Sequence, residues 1–135
     1  MDAKTRDRQL RAIANWVNLA TPLAFVIASL GRARPRRGPC QLWIADGYRL
    51  AFPKAGAFTI GSMVIVPHGT IDELVRHNPQ ILEHEETHAK QWAICAGLPF
   101  LPLYAAATAW SKWRTGNNYA ANIFEVRADL VKGGY

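Results

Sequence analysis

The stretch that most constrains this chain is His84-Glu85-Glu86-Thr87-His88, an H-E-x-x-H pentapeptide inside a segment with helical spacing. On a helix, residues i and i+4 share one face, so the two imidazoles can converge on one ion while Glu85 stands beside it as a base. A single helix supplies two ligands in this way, whereas zinc sites take at least three from the protein. The remainder of the chain must therefore fold back and deliver a third.

His68, His77, Asp72, Glu83, Glu86, Glu125 and Asp129 carry suitable donors. Glu86 lies off the ligand face, and Glu83 and His77 sit on or just before the same helix, where the backbone directs them elsewhere. Glu125 is the preferred third ligand, because it lies 37 positions after His88 and leaves room for an intervening helix to return. Asp129, one turn later, is placed to accept a hydrogen bond from the far nitrogen of a ligating imidazole, and Asn122 lies almost one turn before Glu125. Two imidazoles and a carboxylate suit zinc best, so one Zn²⁺ per chain is expected.

The segments around this core read as follows. Ala12 to Leu30 is apolar with polar positions at helical spacing, a helix interrupted near Pro22. Gly31 to Pro39, rich in Arg, Gly and Pro, reads as a linker. Two β-prone runs flank Asp46-Gly47, a strong hairpin signal, and a second pair flanks Gly61-Ser62. Thr70 and Glu73 form a capping box for a short helix, and Asn78-Pro79 opens the helix that carries the pentapeptide and ends before Gly97. Phe100 to Trp113 and Tyr119 to Val131 complete the helices. The fold class expected is α+β, with a small antiparallel sheet of two hairpins packed on the H-E-x-x-H helix and further helices. Residues 1–37 are expected to be a basic N-terminal segment with an apolar helix, and residues 38–135 the domain that holds the site.

Charge supports that division. Residues 1–37 hold eight Lys or Arg against two Asp, whereas from Gly38 onward eight bases meet eight acids. The net charge of +6 therefore belongs to the N-terminal segment, which could meet an anionic membrane surface. Nucleic acid is the less favoured partner. Cys40 and Cys95 lack metal-knuckle spacing and define no disulfide framework. Ala12–Gly31 and Gln91–Ser111 are uncharged and about as long as a membrane span. The arginines that follow the first run make an awkward cleavage site, so no cleavable leader is assigned and a cytoplasmic or membrane-associated location is expected. A crossing by the second would put Glu125 on the side opposite His84 and His88, so it is expected to be a buried helix.

Phe124-Glu125-Val-Arg-Ala128-Asp129 resembles the F-E-x-x-A-D signature of the gluzincin metallopeptidases that include the heat-shock membrane protease and the CAAX prenyl endopeptidase. Ala57-Phe58-Thr-Ile-Gly61-Ser-Met-Val-Ile-Val66 is similar to that family's N-A-F-A-x-P-G-G-x-I-x-V strand pair, with Gly56 in place of Asn and Ser62 in place of the second Gly. The resemblance covers roughly residues 56–130. It implies a zincin-like fold in which His84, His88 and Glu125 bind zinc and Glu85 is the general base. It also implies that Met63, Val64, Ile65 and Val66 form the strand along which a peptide or protein substrate lies. Tyr119, His68, Arg127 and Tyr104 are candidates for stabilising the oxyanion. Zinc-dependent peptide-bond hydrolysis is the activity expected. The alternative is a non-catalytic, zinc-stabilised binding module that acts at a membrane surface or on nucleic acid. A third reading lets residues 1–37 occupy the cleft of a latent protease.

Overall fold

The computed structural model describes residues 2–53 and 55–135; Met1 and Lys54, the latter inside the expected break at residues 53–56, lie outside the described residues. Along the described chain run α1 (Ala3–Val17), α2 (Ala20–Leu30), β1 (Arg34–Arg37), β2 (Trp43–Tyr48), β3 (Phe58–Ile60) and β4 (Met63–Pro67). Then follow α3 (Ile71–His77), α4 (Ile81–Ile94), α5 (Phe100–Thr115) and α6 (Ile123–Arg127). The class is α+β. The sheet, however, is mixed rather than antiparallel, with strand order β1-β2-β4-β3 and β2 parallel to β4.

Side chains alternate across a strand, and here both faces are covered. Met63 and Ile65 of β4 join Ala45, Tyr48 and the α2 residues Ala24 and Ala28 in one core cluster. Val64 and Val66 join Ile44, Ile71 and the α4 residue Ala89 in another. Met63, Val64, Ile65 and Val66 are therefore the interior of the sheet, flanked by β2 and β3, and not an edge to which a peptide can add. The strand with a free edge beside α4 is β3.

Of the two expected hairpins, the one at Gly61-Ser62 forms, with Phe58 opposite Ile65 and Gly61 at φ 58°. Asp46-Gly47 does not turn the chain. β2 runs through it, because Asp46 is otherwise engaged: Oδ1 accepts from the Ile71 amide at 2.8 Å and Oδ2 from Arg36 at 3.1 Å. Gly47, at φ 75°, marks a bulge where pairing passes from Asp46–Val66 to Tyr48–Pro67. The partner of β2 is instead β1, the arginine-rich segment expected to be a linker.

Residues of the basic N-terminal segment pack on the rest of the chain. Asp2 caps α1 through the Thr5 amide, and α1 lies along α4. Arg8 and Arg11 both bond Glu86, and Arg11 Nη2 also donates to the carbonyls of Cys40 and Gln41 at 2.6 and 3.2 Å. Deeper in, Asn15 Nδ2 donates to Ser62 Oγ and to the Ala89 carbonyl, both at 3.0 Å. Ser62 N in turn donates to Thr21 Oγ1 at 3.1 Å. The chain breaks at Asn18-Leu19, and Pro22 falls in the first turn of α2, where its missing N–H has no helical partner to lose. Among the described residues no single helix is long and apolar enough to cross a membrane; α1 and α2 meet that test only as a pair bent by 71°.

Downstream, Thr70 Oγ1 accepts from the Glu73 amide as the capping box predicts. Helix α4 starts later than expected, with Asn78 bonding the Gln80 amide in the preceding turn. The last helix is shorter than predicted. Asn117 Oδ1 takes the amides of Tyr119 and Ala120, Asn122 caps α6, and Asp129 leaves the helix at φ 73°. Helix α5 is not buried: only Phe100 and Ser111 of its residues are.

The clamp on Glu86 yields a prediction. Burial alone would raise its pKa, but the Arg8 hydrogen bond and the charges of both arginines outweigh it and hold the carboxyl below its ordinary value. A carboxylate with a depressed folded pKa adds stability above the unfolded value, and that stability is lost as pH falls through the folded one. Glu86→Gln is therefore expected to cost about 1.5–3 kcal/mol at pH 7, the range for hydrogen bonds to charged groups. In urea titrations at falling pH, the gap to the wild type should close below about pH 4.5.

Candidate metal centre

Helix α4 carries His84 and His88 on one face, both buried. Helix α6 brings Glu125 to them. His84 Nε2 lies 3.0 Å and His88 Nε2 2.9 Å from Glu125 Oε1, and the two Nε2 atoms are 3.1 Å apart. Tetrahedral zinc ligands at about 2.05 Å from the metal would be about 3.3 Å from one another, so the triangle has very nearly the right size.

The outer nitrogens decide what the inner ones carry. His84 Nδ1 faces the carbonyl oxygens of Ala128 and Asp129, each at 2.9 Å, and neither can donate. Nδ1 must hold the proton. Gln91 Nε2 donates to the Phe124 carbonyl at 2.9 Å, which turns its Oε1 toward His88 Nδ1 at 2.8 Å. That nitrogen must be protonated as well. In neutral imidazoles both Nε2 atoms then present lone pairs to each other and to a carboxylate oxygen. Only a cation or shared protons reconcile three such acceptors, and the donor set fits a divalent metal.

Without a metal, protons take that role. Burial would raise the Glu125 pKa, but hydrogen bonds from His84 and His88 outweigh it and keep the carboxylate ionised far below the usual range. Burial would lower both imidazoles, yet Glu125 raises each above its ordinary value. The second carboxylate oxygen, Oε2, accepts from the Tyr104 hydroxyl of α5. Tyr104 is pushed well up by burial and by the neighbouring Glu125 charge, so it stays a donor.

The local chain explains these positions. Asn122 Oδ1 caps α6 at the Phe124 amide, and its Nδ2 bonds Thr108 Oγ1 of α5, so it aims Glu125 rather than touching an imidazole. Asp129 supports His84, but through its main-chain carbonyl; its carboxylate caps the amides of Val131 and Lys132. Asp tolerates the left-handed φ that turns two successive carbonyls onto one ring nitrogen. Gly133 then passes so close that a Cβ there would lie 2.5 Å from His84 Cε1.

Glu85 is buried beside the cluster, close enough to feel the charges of His88 and His84. Its Oε2 accepts from Thr59 Oγ1 of β3 at 2.6 Å. Burial raises its pKa, the tuning that suits a general base. A cavity of about 300 Å³ reaches it, lined by Gly56 and Ala57 ahead of β3, by Ile81, and by Gly133 to Tyr135. The N-terminal segment does not fill this cleft, because α1 packs on the Glu86 and Ala89 side of α4.

Of the oxyanion candidates, Tyr104 touches Glu125, and Tyr119 stacks on Tyr135, whose ring centroid is 6.0 Å from that of His84. His68 and Arg127 are exposed and make no hydrogen bond to the cluster. Gln91 and Thr59 were not assigned from sequence. Gln91 had a signal, its place on the ligand stripe three residues after His88; Thr59 had none, since only the sheet brings it to Glu85. Gln91→Ala is expected to weaken zinc binding about 10–100-fold, read by competition with a chromophoric chelator, the usual effect of freeing a ligating imidazole. Compared with family profiles, with curated proteins and with solved structures, the chain matches none.

Proposed function

We propose that this chain is a zinc-dependent metallopeptidase of minimal size, zincin-like in fold and related in chemistry to the gluzincins it resembles. The observation that carries the reading is the pairing of a three-donor metal cluster with a second, independently buried carboxylate, Glu85, at the end of a cavity. A structural zinc site has no use for that carboxylate.

His84, His88 and Glu125 would hold the metal, which when bound supplies Lewis acidity toward a carbonyl and lowers the pKa of water. Glu85, its carboxyl raised by burial and held by Thr59, accepts the proton of the attacking water and delivers it to the leaving amine. Tyr104 keeps Glu125 oriented. Peptide would enter between the stretch before β3 and Gly133 to Tyr135. The Thr59 carbonyl already accepts from Trp92 Nε1 at 2.9 Å, so addition to β3 along its full length is not available. One observation favours the alternative of a non-catalytic zinc-stabilised binding module: the packing of Gly133 to Tyr135 against His84 narrows access to the cluster.

Metal analysis and turnover separate these readings. Protein purified without added metal should carry one zinc per chain, and Glu125→Ala should lose it. Glu85→Gln should keep the zinc and lower peptide hydrolysis by about 10²–10⁴-fold, the usual worth of a general base. Unchanged turnover in that variant would sink the peptidase reading and leave the metal site intact. Zinc affinity should rise with pH between 5 and 8, by up to about tenfold per unit for each imidazole proton displaced. The sign follows from the raised His84 and His88 values in the metal-free protein.

A further inference from the structure

Helix α5 is built inside out for a helix exposed to water. Its inner stripe carries the polar atoms: Tyr104 bonds Glu125, Thr108 accepts from Asn122, and Ser111 Oγ donates to the Asn117 carbonyl and accepts the Ala121 amide. Its outer face carries none until the last turn. Leu101 and Leu103 are about half exposed at 48% and 49%, Trp110 is 55% exposed and Trp113 75%. No charged residue occurs from Leu98 to Ser111. Surface helices of water-soluble domains have the opposite arrangement.

The face continues onto the neighbouring corner. Gly97, just before α5, lies against the Asn18 carbonyl, close enough that a Cβ would be 2.6 Å away. The break between α1 and α2 and the break between α4 and α5 therefore abut. Both present large apolar side chains outward, Val17 at 77% and Leu19 at 59% on one side and Ile94 at 72% on the other. Leu19 holds φ 71°, a conformation that bulky residues rarely adopt.

We propose that the outer face of α5, with this corner, docks on the surface of an anionic lipid bilayer. The edge of the patch identifies the occupant. Trp110 and Trp113 are paired at 5.4 Å between ring centroids in the last turn, where Lys112 and Arg114 flank them and the Arg114 guanidinium lies 5.7 Å from the Trp110 ring. Aromatic rings with adjacent cations match the headgroup level of a membrane, with the rings at the interface and the cations among lipid phosphates. The sixteen-residue helix is about 24 Å long, shorter than the hydrocarbon core of about 30 Å. Both of its ends return to the metal cluster side, so it lies in the interface rather than crossing. Docking does not require the metal site to be catalytic. If it is, the cluster sits about one helix diameter, roughly 10 Å, from the lipid, and its substrates are polypeptide segments held near the membrane surface.

The test is flotation of the full chain with vesicles of phosphatidylcholine alone or with phosphatidylglycerol added. Binding to the anionic vesicles is expected, weakened by salt. Trp110→Ser with Trp113→Ser should lower it about tenfold or more, as expected for two aromatic anchors, with zinc content and the circular dichroism spectrum unchanged. Lys112→Gln with Arg114→Gln should abolish the preference for anionic lipid. The proposal falls if the wild type does not float with anionic vesicles. It falls equally if the tryptophan pair has no effect while neutralising Arg32, Arg34 and Arg37 removes binding. A wild type that is dimeric in solution, and monomeric in the tryptophan variant, would assign the face to a second copy instead.

Discussion

Three acceptor atoms meeting at one point are the constraint on which the rest depends. His84 Nε2, His88 Nε2 and Glu125 Oε1 lie within 3.1 Å of one another in a buried position, where unpaired lone pairs are costly. Every neighbour is arranged to keep them there. Two carbonyls fix one imidazole, an amide oriented by a third carbonyl fixes the other, and a tyrosine hydroxyl fixes the carboxylate. Each of those partners comes from outside α4 or is itself anchored outside it. The cluster is therefore a property of the folded chain and not of the pentapeptide.

Helix α4 could not hold this burden alone. It has no side-chain cap at its N-terminus, and its charged centre gives it little apolar surface of its own. It is held from three directions. The sheet receives Ala89, α1 clamps Glu86 through two arginines, and Trp92 packs on Phe100 at 4.8 Å while bonding the Thr59 carbonyl. The last contact matters twice, because the strand that Trp92 steadies also places Thr59 against Glu85. Packing and the placement of Glu85 thus share one strand.

What the sequence disclosed follows from the range of the interactions involved. The pentapeptide, the Thr70 cap, the Gly61 turn and the break at Gly97 depend on neighbours within a few residues, and each was legible. The pairing of Glu125 with the two histidines was legible too, because few carboxylates lay at a workable distance along the chain. Strand pairing was not. Asp46-Gly47 has turn chemistry, but the Ile71 amide and Arg36 claim its carboxylate, and the strand runs on through a bulge at Gly47. Charge was incomplete in the same way: Arg8 and Arg11 read only as part of a basic N-terminal segment, because their partner, Glu86, lies more than seventy residues away. Met63 to Val66 read as an accessible strand, but with helices on both faces and strands on both sides its uninterrupted apolar run belongs to the centre of the sheet.

Helix α5 shows how the site imposes its demands on the surface. An uncharged helix suits a protein interior and a lipid environment equally by composition, so sequence alone favoured burial. The cluster of His84, His88 and Glu125 decides otherwise. Glu125 needs a hydroxyl at its second oxygen, α6 needs Thr108 and Ser111 to hold its approach, and all three groups stand on one stripe of α5. Turning the leucines and tryptophans inward would break each of these bonds and leave buried acceptors unpaired. The polar stripe must therefore face the site, and the apolar stripe must face out. Exposure of Trp110 and Trp113 is in this sense a consequence of how Glu125 is held, which ties the geometry of the cluster to the face that α5 turns outward.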